Sequence, residues 1–200
     1  MIYLASSSPR RRELLEQIGV PHQILKISID ETQHPKELPA DYVQRLAAEK
    51  AQAGWQYVLQ HHLTQHPVLG ADTTVICNNK ILGKPQDKKD AIAMLSLLSG
   101  REHIVMTAVS LVFNQQINTA LSQSTVTFRN LTSTEIEHYW HTGEPQDKAG
   151  AYAVQGFGAA FIKQLNGSYS GVMGLPLFET SQLLEKFDLP FWQTKDGAAK

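Results

Sequence analysis

The sequence predicts an α/β fold: a mixed, twisted sheet flanked by helices on both sides, in two lobes around a central cleft. Three observations predict it. The opening apolar run Met1-Ile2-Tyr3-Leu4-Ala5 passes through Ser6-Ser7-Ser8-Pro9 into Leu14, Leu15 and Ile18 at helical spacing, which is strand, tight loop, helix. Further along, amphipathic segments near 39–59, 88–99 and 133–142 alternate with short apolar runs of strand character. Finally, Asn78-Asn79, Asn114-Gln115-Gln116 and Asn166-Gly167 stand as turns between apolar runs, so hairpins add antiparallel strands to the sheet.

In the first helix Ser8 stands at the N-cap, Pro9 at the first helical position and Gly19 at the stop. Arg10, Arg11 and Arg12 then crowd the first turn, where exposed N–H groups and the helix dipole already favour acids. An anion belongs there. Backbone N–H groups, serine hydroxyls and guanidinium forks together make a phosphate site, with a solvated basic helix start as the plain alternative. Arg11 shares the stripe of Leu14, Leu15 and Ile18 and points inward; Arg12 lies one turn from Glu16 and suits the surface.

An extended piece over 23–29 ends in Asp30-Glu31 and a polar loop. These paired acids are candidate Mg²⁺ or Mn²⁺ ligands beside a phosphate site, or ordinary surface acids. Pro39 opens a long helix to about residue 59, whose apolar stripe Val43, Leu46, Ala47 continues into Lys50. A cation on an apolar face is aimed into a cleft or snorkels to water. His61, His62 and His66 fall in a Gln-rich connector and are expected on the surface.

Residues 67–77 read as a buried strand with Asp72 at its polar centre. A buried carboxylate must be hydrogen-bonded, paired or metal-bound, and Gly70 and Ala71 leave room for another group to approach. The Asn78-Asn79 hairpin is expected to return Lys84, in Gly83-Lys84-Pro85, to the end of the strand that carries Asp72. Asp87 caps the next helix, which carries Ala91, Leu95 and Leu98 inward and stops at Gly100; strands follow at 103–113 and about 122–129. Thr132-Ser133-Thr134-Glu135 is a capping box for a helix ending near Gly143. The run 144–158, rich in small residues, reads as a tight loop in which Lys148 is available for phosphate and Gln155 for hydrogen bonds to a base. A strand over 161–165, the Asn166-Gly167 hairpin turn and a last helix begun by Gly174-Leu175-Pro176 complete the chain, with 193–200 a frayed tail.

With 18 basic and 19 acidic side chains, a net charge of -1 argues against bulk nucleic-acid binding, which needs a basic surface. The lone Cys77, in an apolar run, excludes a disulfide framework and points to a small buried hydrophobe in a reducing compartment. No apolar run approaches the roughly 20 residues that span a bilayer, and no leader segment is evident. The expected protein is soluble and cytoplasmic.

Taken together, the motifs place the chain by resemblance. Ser6-Ser7-Ser8-Pro9-Arg10-Arg11 with Glu13-Leu14-Leu15, Asp30-Glu31, Arg45-Leu46-Ala47 with Lys50-Ala51, Gly70-Ala71-Asp72-Thr73, Gly83-Lys84-Pro85, Asp147-Lys148-Ala149-Gly150-Ala151-Tyr152 and Gly174-Leu175-Pro176 follow one another from residue 3 to about 187. In this order they resemble the Maf family of nucleoside triphosphate pyrophosphatases. The resemblance implies a single Maf/ITPase-like domain over 1–200, in two lobes that are not independent domains, and cleavage between the α and β phosphorus atoms with a divalent cation, Mg²⁺ or Mn²⁺. It further implies that Asp72 is the proton acceptor for the attacking water and that Glu31 and Asp72 hold the metal. Ser7, Arg11, Lys50, Lys84 and Lys148 would bind the triphosphate, and Arg10, Thr73 and Gln155 would select the base. The run at 147–152 and Gln155-Gly156 look like the branch acting on dTTP and UTP, with modified pyrimidine triphosphates as further substrates and a role in nucleotide-pool cleaning and cell-division arrest. The alternatives are the same chemistry on a purine or 7-methyl-GTP, and a non-catalytic nucleotide-binding regulator of septum formation. The implied partner is a nucleoside triphosphate, with a second copy of the chain as a further expected partner; neither nucleic acid nor membrane is expected.

Overall fold

The computed structural model describes residues 1–192. The expected tail at 193–200 lies outside the described residues. Strand β1 (Ile2–Leu4) leads through the serine loop to helix α1 (Pro9–Gln17), and β2 (His22–Ile24) runs parallel to β1, Ile2 opposite His22. Helix α2 (Pro39–Gln60) carries the chain to β3 (Val68–Cys77), also parallel to β1, Tyr3 opposite Val68. These crossovers make the parallel half of the sheet.

Hairpins make the antiparallel half. At Asn78 and Asn79 the φ values of 50° and 60° form a tight turn that lays β4 (Lys80–Leu82) against β3, Val75 opposite Leu82. Helix α3 (Lys88–Leu98) is capped by Asp87, whose carboxylate accepts from the Asp90 N–H at 2.8 Å. Strands β5 (Glu102–Phe113) and β6 (Gln116–Phe128) follow, then α4 (Ser133–His141) behind the expected capping box. Three short 3₁₀ turns, Glu144–Asp147, Ala149–Ala151 and Phe157–Phe161, precede β7 (Ile162–Asn166), which pairs antiparallel with β6. Helices α5 (Tyr169–Met173) and α6 (Leu177–Lys186) complete the described chain. The strand order is β2-β1-β3-β5-β6-β7, with β4 on β3, a mixed sheet as expected.

By contact density the chain divides into two compact units. Among the described residues, the first contains 1–72, 107–122 and 174–192; the second contains 73–106 and 123–173. In the first, Tyr3, Ala5, Leu25, Ala51, Trp55, Val58, Val68 and Val112 pack together. The small side of α2 lies hard against the sheet: a Cβ on Gly70 would sit 2.4 Å from the Ala47 carbonyl and 2.5 Å from the Ala51 nitrogen, and one on Gly54 would sit 2.7 Å from Val68 Cγ1. Only glycine permits that approach. In the second unit Leu95, Leu98, Val126 and Phe128 join Tyr139, Tyr152 and Phe161 in an aromatic-rich core, with Phe128 edge-on to Tyr152 at 4.8 Å. Cys77 is a buried free thiol, as expected of a small hydrophobe. No helix among the described residues is long and apolar enough to cross a membrane.

Several elements differ from expectation. The extended piece over 23–29 is a strand only to Ile24, because its partner β1 ends at Leu4, opposite Ile24; the Leu25 N–H still donates to the Leu4 carbonyl at 2.9 Å. Strand β6 begins at Gln116, well before residue 122, since the Asn114-Gln115 turn is tight enough to start pairing at once. Asn166-Gly167 leads to α5 and not to a second strand: Ser168 Oγ accepts from the Gly171 N–H at 2.9 Å and caps a helical turn. The loop over 144–158 is more ordered than a simple connection, owing to its 3₁₀ turns.

Candidate active site

In the first unit the geometry begins with the packing of α2 on β3. Side chains alternate along a strand, so Asp72 emerges from β3 on the same side as Gly70, against which α2 is seated. Lys50 lies on α2 between Ala47 and Ala51, the two residues that touch Gly70. Its Nζ therefore reaches Asp72 Oδ1 at 2.7 Å, and it also meets Glu31 Oε1 at 2.7 Å. Lys50 is not a snorkelling surface lysine: only 13% of its side chain is exposed.

Asp72 is buried, and burial raises its carboxyl above the ordinary carboxylate pKa while the charges of Lys50 and Arg11 pull it back. Arg11 faces inward as its stripe predicts. Its Nε donates to the Gly174 carbonyl at 2.8 Å and its Nη1 to Ser6 Oγ at 3.1 Å. Burial lowers the Arg11 pKa, opposed by Asp72 and Glu31, and a guanidinium remains charged under any such shift. Ser8 makes no side-chain cap to α1; instead the Ser8 N–H donates to Ser6 Oγ at 3.2 Å. Ser6 is thus the buried hinge of the serine loop, whereas Ser7 is exposed and Arg10 half-buried. His61 and His62 are exposed and His66 half-buried, in keeping with a connector.

The second unit carries the remaining predicted residues. Thr73 follows Asp72 on β3 and projects to the opposite face of the strand. Lys84 is exposed just beyond β4, and the Gly83 carbonyl before it accepts from the Gly150 N–H at 3.0 Å, tying that turn to the 147–152 run. Gly150 has φ of 68°, the left-handed region that favours glycine, and a Cβ there would also lie a tight 3.0 Å from Val75 Cγ1. Lys148 pairs with Asp147 and donates to the Glu144 carbonyl at 3.3 Å. Gln155 is exposed at the head of a loop built on one carboxylate. Glu144 Oε1 accepts from Tyr139 Oη at 2.7 Å and from the Gly158 N–H at 3.0 Å, and its Oε2 accepts from the Phe157 N–H at 2.9 Å. A Cβ on Gly156 would sit 2.0 Å from that carboxylate.

Sequence reasoning gave no role of their own to Ser6, Glu144, Tyr139, Tyr42 and Arg45, although Ser6 and Arg45 stand in the quoted motifs and Glu144 opens the 144–158 run. Most of their contacts reach across loops, which periodicity does not register; Arg45 alone carried a local hint, with Glu49 at i+4.

Among the described residues no three or more His, Cys, Asp and Glu side chains gather as a metal cage. Two carboxylates, Glu31 and Asp72, do converge on one cationic nitrogen. A pair of hard oxygen groups around one cation suits Mg²⁺ or Mn²⁺, which take one or two protein carboxylates and complete their shell with phosphate and water.

Residues 1–187 match the family described as Maf-like protein. The chain belongs to the Maf family. A relative from Nitrosomonas europaea named dTTP/UTP pyrophosphatase is 55% identical over 193 residues, covering 92% of this chain and 93% of its own. Maf relatives with the same name from Pseudoalteromonas atlantica and Aromatoleum aromaticum are each 52% identical, covering 94% of this chain and 98% and 96% of their own lengths. The motifs that suggested Maf membership fall on the serine loop, the Lys50-centred pair of carboxylates and the turn bonded to Gly83, not on one element.

Proposed function

We propose that this Maf protein is a nucleoside triphosphate pyrophosphatase acting on dTTP and UTP, which it hydrolyses to the monophosphate and pyrophosphate. The observation that carries the proposal is the buried Asp72 held 2.7 Å from Lys50, with Glu31 on the same nitrogen and Arg11 close enough to act on both carboxylates. A site that only bound a polyanion would gain nothing from two carboxylates, which repel it. A site that cleaves an anhydride needs a proton acceptor among its cations.

In this reading Asp72 accepts a proton from the water that attacks the α phosphorus, and the bond to the bridging oxygen breaks to release pyrophosphate. Burial, by raising the Asp72 pKa, makes it a stronger base than an ordinary exposed carboxylate. Arg11, Lys50, Lys84, Lys148 and Ser7 bind the triphosphate and spread its charge, the main demand of phosphoryl chemistry. Arg10, Thr73 and Gln155 select the base. Glu31 and Asp72 would hold Mg²⁺ or Mn²⁺, which when bound neutralises phosphate charge and acidifies water. The names of the relatives support the pyrimidine preference.

The test is pyrophosphate release from canonical and modified nucleoside triphosphates with Mg²⁺, with Mn²⁺ and with chelator. Metal-dependent release favouring dTTP and UTP is expected. Preference for a purine or for 7-methyl-GTP would keep the chemistry and overturn the branch. Silence across the panel with nucleotide binding retained would replace the enzyme by a nucleotide-binding regulator.

A further inference from the structure

Glu31 sits in a segment, 25–38, that contains neither helix nor strand, and its side chain is 53% exposed. A carboxylate on such a loop loses much of its usefulness as a ligand unless the backbone beneath it is fixed, because ordering it would cost binding energy at every cycle. Two side chains one turn apart on α2 supply that fixation. Tyr42 Oη donates to the Glu31 carbonyl at 3.0 Å, and Arg45 Nη2 donates to the next carbonyl, that of Thr32, at 3.1 Å.

Arg45 is itself held from three sides. Its Nε and Nη2 fork onto Glu37 at 2.6 and 2.9 Å, its Nη1 meets Glu49 Oε2 at 3.1 Å, and its guanidinium lies over the Tyr42 ring at 5.6 Å. With Glu37 and Glu49 both on it, Arg45 has its charge answered within α2 and the loop. Glu37 closes the turn by accepting from the His34 N–H at 3.0 Å, and Asp30 accepts from the Thr32 N–H at 2.9 Å. Each hydrogen bond thus bears on the short stretch that presents Glu31, and the same helix carries Lys50 a turn further on, at the Glu31 carboxylate.

We propose that Tyr42 and Arg45 are positioning residues for the metal: they clamp the two carbonyls at Glu31 and Thr32 and so hold the Glu31 carboxylate beside Asp72. This rests on the reading of Glu31 as a metal ligand. It assigns Arg45 a task that triphosphate binding does not, and it makes α2 the common support of Lys50 and Glu31.

The experiment measures Mn²⁺ affinity of the whole protein by electron paramagnetic resonance of free Mn²⁺, with the α,β-methylene analogue of UTP present. Thermal unfolding checks that each variant is folded. Deleting one hydrogen bond in Tyr42→Phe, or the planar fork in Arg45→Lys, is expected to raise the Mn²⁺ dissociation constant roughly three- to tenfold. In a Glu31→Gln background both effects should vanish, since the clamp would then hold no ligand. If Arg45→Lys does not fold, Tyr42→Phe, which removes only a hydroxyl, carries the test. Folded variants that bind Mn²⁺ as the parent does, while Glu31→Gln weakens it, overturn the clamp and spare the ligand assignment. Losses that persist undiminished in the Glu31→Gln background also overturn the clamp, by showing that these residues act through the fold at large. An unchanged affinity in Glu31→Gln itself overturns the ligand assignment, and the clamp with it.

Discussion

Gly70→Ala tests whether the approach of α2 to β3 sets the Lys50–Asp72 pair. The added Cβ would lie 2.4 Å from the Ala47 carbonyl oxygen and 2.5 Å from the Ala51 nitrogen, both backbone atoms of a packed helix that cannot rotate aside. Reaching an ordinary contact of 3.4 Å or more requires α2 to retreat by about 1 Å. Overpacking of this kind costs roughly 2–3 kcal/mol, the upper part of its range, which at this chain length lowers the melting temperature by roughly 5–10 °C. Lys50 moves with the helix, so its 2.7 Å contacts with Asp72 and Glu31 are disturbed by a comparable distance. A misplacement of about 1 Å in a preorganised site costs up to about 100-fold in rate. The assay pairs thermal unfolding with kcat/KM for UTP, and Gly83→Ala serves as the control for stability, because nothing lies within 4 Å of a Cβ there. A Gly70→Ala protein that melts with the parent and turns over UTP within twofold of it would show that the close approach of α2 to β3 does not set the Lys50–Asp72 pair.

Other outcomes follow from the same geometry. Asp72→Ala should lower turnover by roughly 100- to 10,000-fold, the span of a lost general base, with nucleotide binding retained; undiminished pyrophosphate release would remove Asp72 from the mechanism. Gln155→Ala should reorder the preference among bases more than it slows the best substrate, and an unchanged ranking across the triphosphate panel would place base selection elsewhere. His103, buried with Nε2 at 2.9 Å from Tyr152 Oη, has its pKa lowered to about 4 by burial. An unfolded histidine near 6.5 binds the proton first, so stability is full above about pH 6.5 and is lost as pH falls toward 4, by roughly 3 kcal/mol at about 1.36 kcal/mol per pH unit. Denaturant unfolding across that range should show the slope in the parent and a shallower one in His103→Leu; parallel curves would clear His103 of the effect.

What could be read from the sequence, and what could not, separates along a physical line. Arg11, Lys50 and Asp72 were legible because each breaks an apolar pattern at a position whose direction the pattern itself fixes: a helix stripe for the two cations, a buried strand for the acid. Periodicity therefore located them and aimed them. Their contacts are another matter: Arg11 ends on the Gly174 carbonyl, 163 residues away along the chain, and no local pattern encodes so distant a partner. Glu31 could be suspected but not aimed, since a loop has no period, and its placement depends on Tyr42 and Arg45 reaching out from α2. The same holds for Glu144, whose carboxylate gathers the Phe157 and Gly158 N–H groups and the Tyr139 hydroxyl into the base of the Gln155 loop. Strand β2 was overestimated for a related reason: extended, alternating residues past Ile24 look like a strand whether or not a neighbouring strand continues beside them, and β1 ends at Leu4, opposite Ile24. The regular elements supply the directions, while the loops take their geometry from side chains on those elements. A loop residue such as Glu31 is accordingly best tested through the helix residues that hold it.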